Sequence, residues 1–187
     1  MENKDIEIEL RFPLKNPKDV INFLNTNAKP ISKDLFQKDT YFTPIHRDFL
    51  DVKYPYEWLR LRETNKENLL NYKHFYPENV ERTDYCDEFE IKLDNIELMK
   101  KILLSLNFKK IVVVEKSRST WMFKDVEIAV DEVKSLGSYI ELEAKNHFED
   151  PKKGKAYLYS ILKELNAEVG KEDLRGYPFK IIEKQKF

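Results

Sequence analysis

Three short stretches of this chain carry a charged side chain at every second position: Glu7-Ile8-Glu9-Leu10-Arg11, Leu59-Arg60-Leu61-Arg62 and Ile140-Glu141-Leu142-Glu143. Carboxylates are the natural ligands of hard cations such as Mg²⁺. Guanidinium and ammonium groups clamp phosphate oxygens. A site that uses both signs suits a metal–polyphosphate. Successive side chains of a β-strand point to opposite faces, so Glu7, Glu9 and Arg11 share one face and Ile6, Ile8, Leu10 and Phe12 share the other. The same alternation places Glu88, Glu90 and Asp131 on the acidic list, and Lys73, Lys116 and Arg118 on the basic one.

One wet face on an antiparallel sheet is common and explains any single strand. It explains the set less well, because several strands repeat Glu or Arg at consecutive same-face positions. Helices elsewhere in the chain also need an apolar sheet surface to cover. Both needs are met if the sheet closes into a barrel, with apolar side chains outward beneath the helices and charged ones inward. Such an interior requires its charges to pair or to meet a ligand, since an unpaired buried charge is costly.

The composition narrows the possibilities. The chain has 187 residues, of which 41% are hydrophobic and 36% charged. That length fits one ordinary domain spanning residues 1–187. Thirty-three basic residues against 34 acidic ones leave a net charge of −1, which argues against a general nucleic-acid binder. Four glycines and no phosphate-loop pattern remove the glycine-rich nucleotide cradles. Cys86 stands alone, so no internal disulfide or thiolate cluster forms, and a reducing, cytoplasmic setting is expected. No apolar signal segment or bilayer-length run is apparent, so no membrane association is expected.

The elements that must position these residues follow from periodicity. Strands are predicted at 5–12, 35–43, 57–64, 69–75, 87–93, 110–119, 120–123, 126–133 and 138–145. A helix over 17–27 starts at Asn16-Pro17, with Asn16 as its cap. A second, over 96–106, carries Leu98, Ile102, Leu103 and Leu106 as its apolar stripe. A third opens at Asp150-Pro151 and runs near 151–166 over Tyr157, Leu158, Ile161, Leu162 and Leu165. The end, with Leu174, Tyr177, Phe179 and Ile182, has no clear form. Trp58 and Trp121 are expected on the outer face, and His46, His74 and His147 on the surface or in loops.

In this order the motifs resemble the CYTH superfamily of triphosphate tunnel enzymes. Glu7-Ile8-Glu9-Leu10-Arg11 stands for the family's E-x-E-x-K signature. Leu59-Arg60-Leu61-Arg62, Tyr72-Lys73, Glu88-Phe89-Glu90, Glu115-Lys116-Ser117-Arg118, Asp131-Glu132-Val133 and Leu136 to Glu143 follow it. Gln37-Lys38-Asp39-Thr40-Tyr41-Phe42 is similar to the branch containing class IV adenylyl cyclases. The resemblance implies an α+β fold, a closed antiparallel barrel of about eight strands with a charged tunnel and helices outside. It implies Mg²⁺ or Mn²⁺ held by Glu7, Glu9, Asp131, Glu141 and Glu143, with Glu90 and Tyr41 in support. It implies a triphosphate bound by Arg60, Arg62, Lys73, Lys116 and Arg118, with Lys116 and Arg11 nearest the chemistry. The substrate would be ATP, inorganic triphosphate or thiamine triphosphate; cyclisation of ATP to cyclic AMP is the leading reaction, hydrolysis the alternative, and a non-catalytic nucleotide or polyphosphate binder the rival of a different class. A homodimer is left open. Two departures stand out. Arg11 replaces the usual Lys and cannot readily deprotonate, and the family's C-terminal Ser-Tyr reads Gly176-Tyr177.

Overall fold

The computed structural model describes residues 6–185, with side chains from residue 8 onward. The elements are β1 (Ile6–Glu7), β2 (Glu9–Pro13), α1 (Pro17–Asn27), β3 (Lys29–Pro44), β4 (Glu57–Thr64), β5 (Asn68–Tyr76), β6 (Tyr85–Leu93), α2 (Ile96–Ser105), β7 (Phe108–Phe123), β8 (Val126–Val133), β9 (Gly137–Ala144), α3 (Pro151–Glu164) and α4 (Gly176–Gln185). The chain is thus α+β, and its paired strands are antiparallel. It divides into two compact units, one built mainly from residues 36–115 and the other from 7–35 and 116–174.

In the first unit the strands run β6-β5-β4-β3. Register places Tyr41, Arg60, Asn71 and Glu90 in one row across the sheet, and Asp39, Arg62, Leu69 and Lys92 in the next. The opposite face is apolar. There Phe42 and Leu61 are buried against Ile96 and Leu103 of α2, with Leu59, Leu70, Met99 and Phe108 around them. Asn95 caps α2, its side-chain oxygen accepting from the Leu98 amide at 2.9 Å.

In the second unit the order is β7-β8-β9-β2. Thr120, Ala129, Glu141 and Arg11 form one row, and Met122, Glu127, Glu143 and Glu9 another. The other face carries Leu10, Ile128, Ile140 and Leu142, all essentially without solvent contact. It is covered by Val20 and Leu24 of α1 and by Leu158 and Ile161 of α3. Asp150 caps α3 by accepting from the Lys152 amide at 2.9 Å. The β8–β9 hairpin turns within residues 134–136, and Ser135 and Gly137 take left-handed backbone angles of φ 70° and 88°. Glycine bears the second of these without steric cost.

Several local expectations are corrected. The predicted pair of strands at 110–119 and 120–123 is one 16-residue strand, β7, because the alternation continues through Ser119-Thr120. Strand β3 begins at Lys29 rather than 35. Asn16 makes no cap bond to α1. Its side chain instead accepts from the Glu168 amide at 2.8 Å and donates to the Asn166 carbonyl at 3.2 Å, tying down the segment after α3. The stripe of α2 is also rotated. Ile96 and Leu103 are buried, whereas Leu98, Ile102 and Leu106 are 55%, 42% and 59% exposed. A helix of three turns has room for one contact row, and 96-99-103 spans it with better i, i+3, i+7 spacing. The C-terminal segment is helical and buries Tyr177, Pro178 and Ile181.

This assignment has a direct test. Leu103→Ala should lower the unfolding free energy by about 2–5 kcal/mol through the cavity it leaves. Leu98→Ser should change it by less than about 0.5 kcal/mol. Urea unfolding of the two variants decides; equal losses would mean that the helix packs through the other stripe.

Candidate functional site

On the charged face of the second unit every described cation is held by a carboxylate. Arg118 grips Asp131 with two parallel bonds, Nε to Oδ1 and a terminal nitrogen to Oδ2, both 2.7 Å. Lys116 reaches the same carboxylate at 2.9 Å. The other arm of Arg118 lies 3.0 Å from Glu141. Arg11 donates to Glu141 at 2.7 Å and to Glu9 at 3.0 Å. Glu143 pairs with Lys145, which also lies 3.5 Å from Glu127. The strand register causes this arrangement: Arg118 is opposite Asp131, Arg11 opposite Glu141 and Glu9 opposite Glu143. Cross-strand neighbours stand close enough for direct contact.

Burial and the neighbouring charges together set the protonation states. Burial pushes the Asp131 carboxyl up, but Arg118 and then Lys116 outweigh it and hold the group at about 2. Glu141 is likewise driven up by burial and held well below the ordinary carboxylate range by Arg118, Arg11 and Lys116. Glu143 moves the other way: burial raises it, and Glu127 and Glu141 add to the rise against Lys145. One end of this face therefore carries balanced charge and the other, at Glu9, Glu127 and Glu143, gathers carboxylates.

The first unit repeats the principle with other residues. Asp39, 2% exposed, accepts two parallel bonds from Arg62 at 2.7 and 2.8 Å, and Arg60 lies 3.5 Å away. Arg60 also approaches Glu88 at 3.8 Å, and Lys73 reaches Glu88 at 3.3 Å. Asn71 donates to Glu88 and, at 3.2 Å, to Glu90. Burial lowers the Arg60 guanidinium, but Asp39, Tyr41 and Glu88 together raise it further, so it stays charged. Tyr41 is buried and meets Trp58 edge-on, with ring centroids 5.7 Å apart.

The expected residues therefore fall into two sets, each described within its own unit. Glu9, Arg11, Lys116, Arg118, Asp131 and Glu141 form a contiguous network in one, with Glu143 across from Glu9 on the same face. Tyr41, Arg60, Arg62, Lys73 and Glu90 share a face in the other. The side chain of Glu7 lies outside the described residues. Among the described residues no three acidic, His or Cys groups are arranged as a ready-made metal cage. Asp39, not among the expected residues, joins the charged face of the first unit; it lies in the Gln37–Phe42 motif, and its parity with Tyr41 on β3 is the signal that marks it. Trp58 is corrected. It shares the parity of Arg60 and Arg62 and stands on the charged face, while Trp121 lies on the opposite face and donates to Asn25 of α1 at 3.1 Å. His74 is a strand residue stacked on Tyr76, not a loop residue.

Antiparallel strands that are apolar beneath their helices and ionic on the other face define an α+β fold with an interior-type charged surface. Comparison with known proteins gives this class its place. The model of the CYTH domain matches residues 5–177, and the chain belongs to the CYTH family. A Methanocaldococcus jannaschii protein named "Putative adenylate cyclase MJ0240" is 30% identical over 162 residues, covering 86% of this chain and 90% of its own. The structure of PH1819 from Pyrococcus horikoshii superposes with a TM-score of 0.79 at 28% identity over 95% of this chain and 99% of that one. HpAC1 from Hippeastrum, described with a dominant triphosphatase activity, shares the fold at a TM-score of 0.63 and 19% identity over 97% and 96% of the two chains. Members of the family are adenylyl cyclase-like or triphosphatase enzymes. Among the described residues no helix is long and apolar enough to cross a membrane.

Linkage gives an acid-stability prediction. The carboxyl of Asp131 is lowered from 3.8 to about 2, so its contribution is present above pH 4 and lost as the pH falls through about 2. A shift of that size corresponds to about 2 kcal/mol. Asp131→Asn should remove this part of the acid dependence and destabilise the protein by about 3–5 kcal/mol at neutral pH, because Lys116 and Arg118 keep their charge. Urea midpoints across pH 2–7 check it; an unchanged acid profile in the variant would contradict the pairing.

Proposed function

We propose that this chain is a metal-dependent enzyme acting on a triphosphate, with the cyclisation of ATP to cyclic AMP and pyrophosphate as its leading reaction. The observation that supports this best is the second unit's charged face, where Lys116, Arg118 and Arg11 alternate with Glu9, Asp131 and Glu141 within bonding distance. A simple anion binder has no use for the carboxylates, and a simple cation binder has none for the guanidiniums.

The donor set fits a hard divalent ion. Glu9, Glu141 and Glu143 would supply oxygen ligands on one face, where Glu127 stands directly across from Glu143 and adds a further carboxylate. We assign Mg²⁺ or Mn²⁺ to these residues, with Glu7 and Asp131 as further candidates. When bound, the ion would neutralise phosphate charge and act as a Lewis acid. Arg118 and Lys116 bind phosphate oxygens as they exchange from Asp131, and Arg60, Arg62 and Lys73 offer the same chemistry on the first unit's face. Lys116, pinned on a buried carboxylate, serves as a cation. In cyclisation the ribose 3′-oxygen attacks the α-phosphorus and pyrophosphate departs; its proton leaves to a base other than residue 11.

Hydrolysis is the second reading, and Arg11 favours it. A guanidinium bonded to both Glu9 and Glu141 takes no proton from a ribose hydroxyl. In hydrolysis of ATP, inorganic triphosphate or thiamine triphosphate, water attacks the terminal phosphorus, and the face has only to hold charge and align the nucleophile.

Product analysis with each of the three substrates, in Mg²⁺ or Mn²⁺ and in excess EDTA, tests the proposal. Turnover should vanish in EDTA, and Glu141→Gln should lower it without loss of the circular dichroism spectrum. Cyclic AMP from ATP with inorganic triphosphate left intact supports cyclisation. ADP and phosphate without cyclic AMP supports hydrolysis, and full turnover in EDTA would sink the metal assignment.

A further inference from the structure

The charged face of the first unit leaves one acceptor unsatisfied. Gln37 is 5% exposed, and its side-chain carbonyl oxygen is buried without a hydrogen-bond partner among the described residues. A buried amide oxygen of this kind is expected to be paired. Its place on β3 is informative. Gln37 shares parity with Asp39 and Tyr41, one same-face step from the Asp39–Arg62 pair, and lies opposite Thr64. The Nε of Arg60 on the same face is also buried without a partner. One group waits for an acceptor and the other for a donor.

Phosphate oxygens can meet Arg60. They cannot satisfy the side-chain carbonyl oxygen of Gln37, because an ionised triphosphate presents acceptors only. We infer that Gln37 is a specificity-determining residue that accepts a hydrogen bond from a hydroxyl or amino group on the organic part of the substrate, so that this face selects an organic triphosphate over the inorganic one. The inference rests on the triphosphate reading above and refines it. A phosphate that draws Arg62 from Asp39 opens the row beside Gln37. A donor carried on the same ligand then completes the amide. An acceptor with no donor is worth little in the empty protein, which is the signature of a group kept for binding and not for folding.

The alternative is an ordinary structural amide, satisfied by a water or by a water on the metal. The two differ in the binding of analogues of ATP and of inorganic triphosphate in which both bridging oxygens are methylene groups, so that neither cyclisation nor hydrolysis can proceed. Calorimetric titrations in Mg²⁺ at pH 8 would compare the unaltered protein with Gln37→Leu and Gln37→Glu. Gln37→Leu should weaken the ATP analogue about tenfold, the scale of one lost hydrogen bond, and leave the inorganic analogue unchanged. The melting temperature of the empty variant should hold or rise, because an unsatisfied oxygen is gone. Gln37→Glu keeps an acceptor, so it should weaken both analogues by repulsion yet preserve their ratio. Equal losses for both analogues with Gln37→Leu, no loss for either, or a fall in the melting temperature would overturn the inference while the triphosphate reading stands. An unaltered protein that binds neither analogue would overturn both.

Discussion

The rest of this structure depends on one constraint: charges that leave water must find a partner of opposite sign. Asp131 and Asp39 are almost wholly buried, and each is held by a guanidinium in two parallel bonds. Neither carboxylate is tolerable alone, and neither is its arginine. The antiparallel register supplies the partners, since Arg118 stands directly across from Asp131 and Arg62 from Asp39. The apolar faces follow as the complement. Residues that alternate with the ions have nowhere to point but toward the helices, and Leu10, Leu61, Ile128 and Leu142 are buried there. Folding draws on these pairs, and under the proposed function a ligand of mixed sign would enter by taking over bonds the protein has already made.

Much of this was legible in the sequence because alternation is a two-residue signal that needs no distant information. The strands at 57–64 and 126–133 were read with their observed bounds, and the ionic face was assembled from parity alone. What parity cannot convey is which charge meets which. That Arg11 bridges Glu9 and Glu141, or that Lys116 and Arg118 converge on Asp131, follows from register between strands far apart in the chain. Helix faces were harder for a related reason. The leucines of α2 outnumber the places available on Phe42 and Leu61, so composition offered several stripes and packing chose one. Trp58 was misplaced by its type: a large aromatic suggests an outer core, while its parity with Arg60 put it beside Tyr41. Asn16 had the right type for a cap and was recruited by the backbone at residues 166–168 instead. The role of Asp39 was hidden by its surroundings, since Lys38 and Thr40 flank it and no second carboxylate follows at the same parity.

Where the triphosphate-tunnel resemblance implies a lysine, position 11 holds an arginine, and under the proposed function that difference bears on the reaction through side-chain chemistry. A lysine there could serve as ion pair or, once deprotonated, as base. Arginine keeps the first role and removes the second, and it also reaches two carboxylates at once through separate nitrogens.

The β8–β9 turn looks dispensable, a surface hairpin with a left-handed glycine at its end. Its length, however, decides which side chains of β9 accompany Glu9 and Arg11. A single inserted or deleted residue would force a choice: strain the turn, or slide the strand by one. Sliding would present Ile140 and Leu142 to the arginines and drive Glu141 and Glu143 under α3. Loop length at this position is therefore a chemical variable, and the exposed turn should accept changes of residue type far more readily than changes of count.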